Sequence, residues 1–502
     1  MRGLRLSPAR RHLVALLLCG VDSLTSSRKV HPRHSKTNTL AAEFELEPHP
    51  ETIQNNNRNK QQLPITDAVA IVAGTAIGGG FLALPLVTQP MGFKPSLVAL
   101  VAVWAFLTST AILYAEAAAI MIAQKTATLD VAAGDGEDQQ TAVSITSLSE
   151  QIFGRTGSIA CSIAFACQML SVVTAQVVKA GELVTLALPS EQGAYYIAGC
   201  VSASFLFGGF AFRAPSRVVE TTNTLLTGAL LIGFAGLFGS VVANAGGGAI
   251  GTAFQRLSSV ADWSQLSPFA AGHKWAVPVF LNLLCFGQSI PFIVERMAPQ
   301  PNAIASGQLS MIEARDEARR KTRLAIILGS LVPLTMCILW CAVTSSEILS
   351  TSLLDDDPVL DLIQGGPPSV SVPVAVIATG AIGTTLISSY LTIDQFMQDI
   401  FCTIFNGCSP LTARLATLFT ILAPVALASG GPSLYLPLLA FAGAGPTTFL
   451  YGLIPPCSVF SLRSRAGDSR KHWLPFGNPP LFGLGFLSAS IILLACLPYL
   501  YF

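Results

Sequence analysis

The chain has 502 residues, of which 51% are hydrophobic and only 11% charged, and its mean hydropathy is +0.59. Soluble domains carry about 25% charged residues, so a deficit spread over this length excludes an ordinary water-soluble enzyme and points to a multi-pass membrane protein. The net charge of +1 offers no basic balance for nucleic acid, and the 11 scattered cysteines show no CxxC or Cys/His spacing that would favour a disulfide framework or a zinc site.

Residues 1–63 differ from the rest. Through residue 40 there are eight Lys/Arg, from Arg2 to Lys36, against one acid, Asp22. The apolar run from Leu13 to Cys19 inside this stretch is too short to cross a bilayer, which takes about 20 residues. A basic, acid-poor start of this kind reads as a targeting segment, of signal or organelle-transit type, with a plastid membrane as first expectation and a mitochondrial or secretory one behind it. A polar tail with no targeting role is the competing reading. The Asn/Gln-rich residues that follow read as linker.

From residue 64 onward the chain reads as one all-α transmembrane domain. Eleven apolar segments reach spanning length, at roughly 66–88, 95–121, 157–179, 194–212, 221–243, 275–295, 324–345, 372–393, 411–429, 433–453 and 480–502. With the N-terminus on the cytoplasm-like side, seventeen Lys/Arg from Arg58 onward fall on the inner face. The outer face receives only Lys94, Lys179, Arg256 and Lys274, and its loop 346–371 holds five acids and no Lys or Arg. Dropping or adding one early span would scramble this partition.

Two spans carry interruptions. The first contains Gly74-Thr75-Ala76-Ile77-Gly78-Gly79-Gly80, and each Gly weakens a helix by about 1 kcal/mol relative to Ala. Close helix packing uses small residues too, but three consecutive glycines fit better an unwound segment whose backbone faces a ligand cavity. The sixth contains Phe286-Gly287-Gln288-Ser289-Ile290-Pro291, which reads as a break or as a packed proline kink. Spans one and six are corresponding members of two five-helix halves of opposite topology, the pattern of a 5+5 inverted-repeat transporter. Gly74, Thr75, Gly78, Gly79, Gly80, Phe286, Gly287, Gln288 and Ser289 are the candidate substrate contacts. Half-helix N–H groups suit a carboxylate, and freed carbonyls and hydroxyls suit an ammonium group.

The first-span stretch Ile71 to Pro85 resembles the first helix of the tryptophan/tyrosine permeases, aromatic and hydroxy amino acid permeases of the wider amino acid/polyamine/organocation superfamily. Val277-Pro278 through Pro291, Ile327 to Leu334 with Trp340, and Leu438 to Gly443 are similar as well, in the right order. The resemblance implies an eleven-helix symporter for tyrosine, tryptophan or related amino acids, usually driven by protons. Two departures stand out. Family members often place an aromatic and a histidine after Phe-Gly, where this chain has Gln288 and Ser289. In the eighth span Gln395 replaces the first of two acids ahead of Asp399, with Asp394 displaced by one.

An ionisable group inside a bilayer is costly, and is functional or paired. Glu116, late in the second span, reads as a proton carrier or as a carboxylate paired near the inner interface. Asp394 is a further coupling candidate, and sodium coordination through carbonyls with Thr384 and Ser388 is the alternative. No histidine falls in a span, which excludes an imidazole relay within the bilayer. There is no P-loop for ATP, no HExxH motif and no ring of charge. The expectation is therefore an ion-coupled carrier of aromatic amino acids, without enzymatic activity, resident cofactor, metal or protein partner. A carrier of another neutral amino acid or amine, a channel or a membrane-embedded enzyme are the alternatives.

Overall fold

The computed structural model describes residues 63–131, 143–187, 192–257, 261–267, 275–298, 311–344, 357–405, 409–466, 473–474 and 478–500. The expected targeting segment and nearly all of the linker lie outside them. Every regular element among the described residues is helical. Ten helices among the described residues are long and apolar enough to cross a membrane, and the pair Ile65–Ala76 and Gly79–Thr88, bent by 45°, supplies an eleventh span. All eleven expected spans have a counterpart. Spans nine and ten are two helices, Pro410–Ala428 and Pro432–Ser464, parted at Gly431, whose φ of 105° is accessible to glycine at little cost.

Several helices outrun their apolar cores. The second reaches from Phe93 to Val131, and the third from Ile145 to Ala187 with a kink at Gly154, where φ is 68°. The seventh span is continuous from Met311 to Thr344 and begins with a charged stretch that runs to Arg323. Lys321 pairs there with Glu317 at 2.6 Å. The tenth span contains a π-helical stretch, Gly443–Leu453, with Pro446 inside it.

Lipid tails are as apolar as leucine, so helices associate in bilayers through close packing of small residues rather than through expulsion of water. Gly329 of the seventh span lets the inner half of the first span approach, since a Cβ there would lie 2.5 Å from Val72 Cβ. A Cβ at Gly199 in the fourth span would lie 3.1 Å from Gly181 Cα in the third. Thr and Ser hydroxyls within spans donate to carbonyls one turn back, as Thr75 Oγ1 does to Ile71 O at 2.6 Å, which satisfies them without water.

Asp394–Thr420 groups as a unit separate from 62–393 and 421–502. Within it Phe401 packs against Phe405 and Phe419, at 5.9 Å between ring centroids in each case. Among the described residues eight cysteines are free thiols, whereas Cys402 is engaged in a disulfide, which the scattered spacing did not anticipate.

Candidate substrate-binding site

The first span is broken at its glycine run. Helix Ile65–Ala76 ends at Ile77 (φ −82°, ψ 110°), and Gly78 is fully extended (φ −160°, ψ −172°) before a 3-10 turn begins at Gly79. Gly79 N–H donates to Thr385 Oγ1 of the eighth span at 2.6 Å, and Tyr435 Oη donates to Gly79 O at 3.2 Å. None of these glycines has a positive φ. Close approach is what excludes a side chain. A Cβ at Gly78 would lie 2.7 Å from Thr385 Oγ1, and one at Gly79 only 1.9 Å from Gln176 Oε1.

The sixth span is broken as well, so a mere proline kink is not what its sequence encodes. Helix Ala276–Leu283 gives way at Leu284 and Phe286 (φ −127°, ψ 9°), and a second helix, Ile290–Met297, starts with Pro291 in its first turn. Proline fits there because that position has no intrahelical N–H partner to lose. The two breaks touch: a Cβ at Gly80 would meet Leu283 Cδ1 at 3.1 Å.

Between the breaks lies a cavity of about 470 Å³, within the range of pockets that hold small molecules. From the first span it is lined by Gly74, Thr75 and Gly78 to Gly80, and from the sixth by Asn282, Leu283, Cys285 and Gln288. Met169 and Val172 of the third span add apolar wall. The expectation that Phe286, Gly287 and Ser289 share this wall is not met. Phe286 and Gly287 turn to a separate small void with Tyr114 and Tyr451, and a Cβ at Gly287 would lie 2.3 Å from Tyr451 Cδ1. Ser289 Oγ is buried and donates to Phe286 O at 2.9 Å.

The eighth span contributes a row of hydroxyls, Thr384, Thr385, Ser388 and Thr392. Thr384 donates to Gly380 O, Ser388 to Thr384 O and Thr392 to Ser388 O, at 2.7 to 2.9 Å. Their protons are thus spent within the helix, and the oxygen lone pairs remain as acceptors, a set that suits a cation. Gln168 and Asn223, which sequence reading missed, line the same cavity. Gln168 Nε2 donates to Thr447 Oγ1 at 2.9 Å, while its Oε1 and Asn223 Oδ1 are buried acceptors without a hydrogen-bond partner. Polar residues at mid-span are the signal that would have found them.

Of the coupling candidates, Thr384 and Ser388 line the cavity and Glu116 does not. Arg463 grips Glu116 through two bonds, Nε to Oε1 and Nη2 to Oε2, each 2.8 Å, and Trp473 N–H donates to Oε2 at 3.1 Å. This is the paired-carboxylate arrangement, with Glu116 saturated by donors. Asp394 accepts from Gln398 Nε2 at 2.7 Å. No cluster of His, Cys, Asp and Glu fit for a metal occurs among the described residues.

Residues 62–495 match the sequence model of the tryptophan/tyrosine permease family. Tyrosine-specific transport system 1 of Haemophilus influenzae is 25% identical over 436 residues, which is 84% of this chain and 94% of that protein. Tyrosine-specific transport system 2 of the same organism is 24% identical over 446 residues, 86% and 95% respectively. Two structures of variants of a manganese transporter from Eremococcus coleocola are similar at TM-scores of 0.52 and 0.53, with 14% identity and coverage of 86% of this chain and 85% of theirs. At that identity the likeness concerns the fold alone.

Proposed function

Because the chain belongs to the tryptophan/tyrosine permease family, and is thus a multi-pass membrane transporter rather than an enzyme, we propose that it carries tyrosine or tryptophan together with a proton. The observation that carries this reading is the cavity between the two breaks, which joins three chemistries. Backbone N–H groups at the start of the second half of span one suit a carboxylate. The hydroxyl oxygens of span eight and the C-terminal end of helix Ile65–Ala76 suit an ammonium group. Met169, Val172 and Leu283 give an aromatic ring an apolar surface, and Gln168 and Asn223 offer acceptors to a phenol or indole donor. Tyrosine is the first choice, since the two similar bacterial proteins are tyrosine-specific.

Sodium is the second reading for the coupling ion, favoured by the acceptor oxygens of Thr384 and Ser388 facing the first break. Paired breaks in corresponding spans support placement in the wider amino acid/polyamine/organocation superfamily. The basic, acid-poor start supports delivery to a plastid-type membrane, and a fluorescent fusion of residues 1–60 that stays diffuse in the cytosol would count against it.

Reconstituted protein supplied with labelled tyrosine or tryptophan tests the whole reading. Saturable counterflow is expected for both, with accumulation when the outside is made acidic. Absence of saturable exchange for either amino acid would sink the aromatic assignment, and accumulation that follows sodium instead of pH would replace the ion.

A further inference from the structure

Lys179 is one of the few basic residues on the outer face, yet its side chain has no solvent exposure. Its ammonium donates to Glu182 Oε2 at 2.8 Å and to Asp357 Oδ2, and lies 5.1 Å from the centroid of the Tyr435 ring. Glu182 sits one turn further along the same helix. Asp357 caps the outer-loop helix Pro358–Gly365, its Oδ1 accepting the Val359 N–H at 2.9 Å. One carboxylate therefore starts the loop helix and fastens it to the third span.

The fastening extends to the substrate site. Tyr435, under the lysine, donates its hydroxyl to Gly79 O in the first break. Gln176, one turn before Lys179, is fully buried against Gly79 with neither amide atom hydrogen-bonded. On the opposite side the cavity wall is open, with Ala70, Gly74, Ser388 and Thr392 exposed. The observed state is thus open inward and shut outward, as alternating access requires of a carrier at one extreme of its cycle.

We propose that Lys179, Glu182 and Asp357 form the outer gate and that the proton taken up with substrate binds at Asp357 to release it. This rests on the proton-coupled reading above. The charge balance supports it. Among the described residues two carboxylates face one ammonium, and the other titratable groups near them are Tyr435 of the tenth span, Tyr196 and Cys200 of the fourth, and Asp361 of the loop helix. Opening a gate by stranding a buried ammonium would be prohibitive. Here the lysine keeps Glu182 on its own helix, so a neutral pair stays in place when Asp357 takes a proton and lets go. The Asp357 side chain is 13% exposed, enough for a proton to arrive from the outer side.

Gln288 is exposed on the cavity wall, so Gln288→Cys places a reporter thiol there. Right-side-out vesicles holding the full chain with this substitution are treated from outside with a membrane-impermeant maleimide at neutral pH, and the peptide containing position 288 is followed by mass spectrometry. Adding Asp357→Asn, which mimics the protonated state, is expected to speed labelling about tenfold over the Asp357 parent, and adding Asp357→Glu to leave it at the parent rate. Initial tyrosine uptake by wild type should rise as the outside is acidified, and Asp357→Asn should flatten that profile. Equal labelling with and without Asp357→Asn, or a retained pH profile in Asp357→Asn, overturns the proposal. The labelling needs no transport, so it decides the gate even for an inactive variant. A wild-type protein that takes up no tyrosine would overturn the transport reading instead.

Discussion

The two breaks occupy corresponding places in the chain and do different work. In the first, backbone is the working surface: Gly78 is extended, Gly79 lends its N–H to the eighth span and its carbonyl to the tenth, and Gly74 faces empty space. In the sixth, backbone is packed away and side chains do the facing. Gly287 lies against the Tyr451 ring, Phe286 is buried, and Gln288 and Cys285 reach the cavity. The difference teaches that equivalent interruptions in a repeat need not give equivalent ligand contacts. One half supplies peptide groups and the other supplies side chains, among them Gln288, which departs from the family pattern.

Substitutions can break this comparison. Gly79→Val has the largest expected effect, because its first carbon already overlaps Gln176. Displacing the break by about 1 Å should cut tyrosine uptake about 100-fold while membrane insertion persists. Normal kinetics in this variant would reduce the glycine run to a packing feature. Gly287→Ala comes next. Its Cβ meets the Tyr451 ring at 2.3 Å, so overpacking should cost about 1–3 kcal/mol of stability, seen as a lower melting temperature in detergent. Adding Tyr451→Leu should recover that loss. A raised KM at unchanged melting temperature would mean the second break faces substrate after all. Thr385→Val is the mildest, leaving the Gly79 N–H without its acceptor at a cost of about 1–3 kcal/mol. A KM for tyrosine raised about tenfold is expected, with Thr385→Ser near wild type. Equal behaviour of the Val and Ser variants would show that this hydrogen bond does not hold the break.

Much of this was legible in the sequence because the bilayer imposes length. A segment must be apolar for about 20 residues to cross, so all eleven spans could be counted, and Gly or Pro at mid-span could be read as interruptions. Helix rotation was not legible. In a helix apolar all round, periodicity does not say which residues face a cavity, so Phe286, Gly287 and Ser289 were grouped with Gln288 although they turn elsewhere. Long-range pairing was equally hidden. Nothing near Glu116 announces Arg463, 347 residues away, and nothing near Lys179 announces Asp357, 178 residues away. The one trace of the latter was an outer loop of acids facing a scarcity of bases.

The unbroken seventh helix has a mechanical consequence. At 34 residues it is about 51 Å long, and about 30 Å suffices to cross the hydrocarbon, so roughly 20 Å projects as a stiff handle on the inner side. That handle carries Arg319, whose guanidinium lies over the Trp473 ring at 5.9 Å from its centroid. The same helix, further along, grips the inner half of the first span at Gly329. Pro333 removes the intrahelical bond to the Gly329 carbonyl and allows a bend there, so the stiff lever is the stretch from Met311 to Leu328, about 27 Å long. A tilt of about 5° pivoting at Gly329 would move its inner end by about 2 Å. Motion at the broken helix and motion at the aqueous inner surface are therefore geared together by the inner part of this helix.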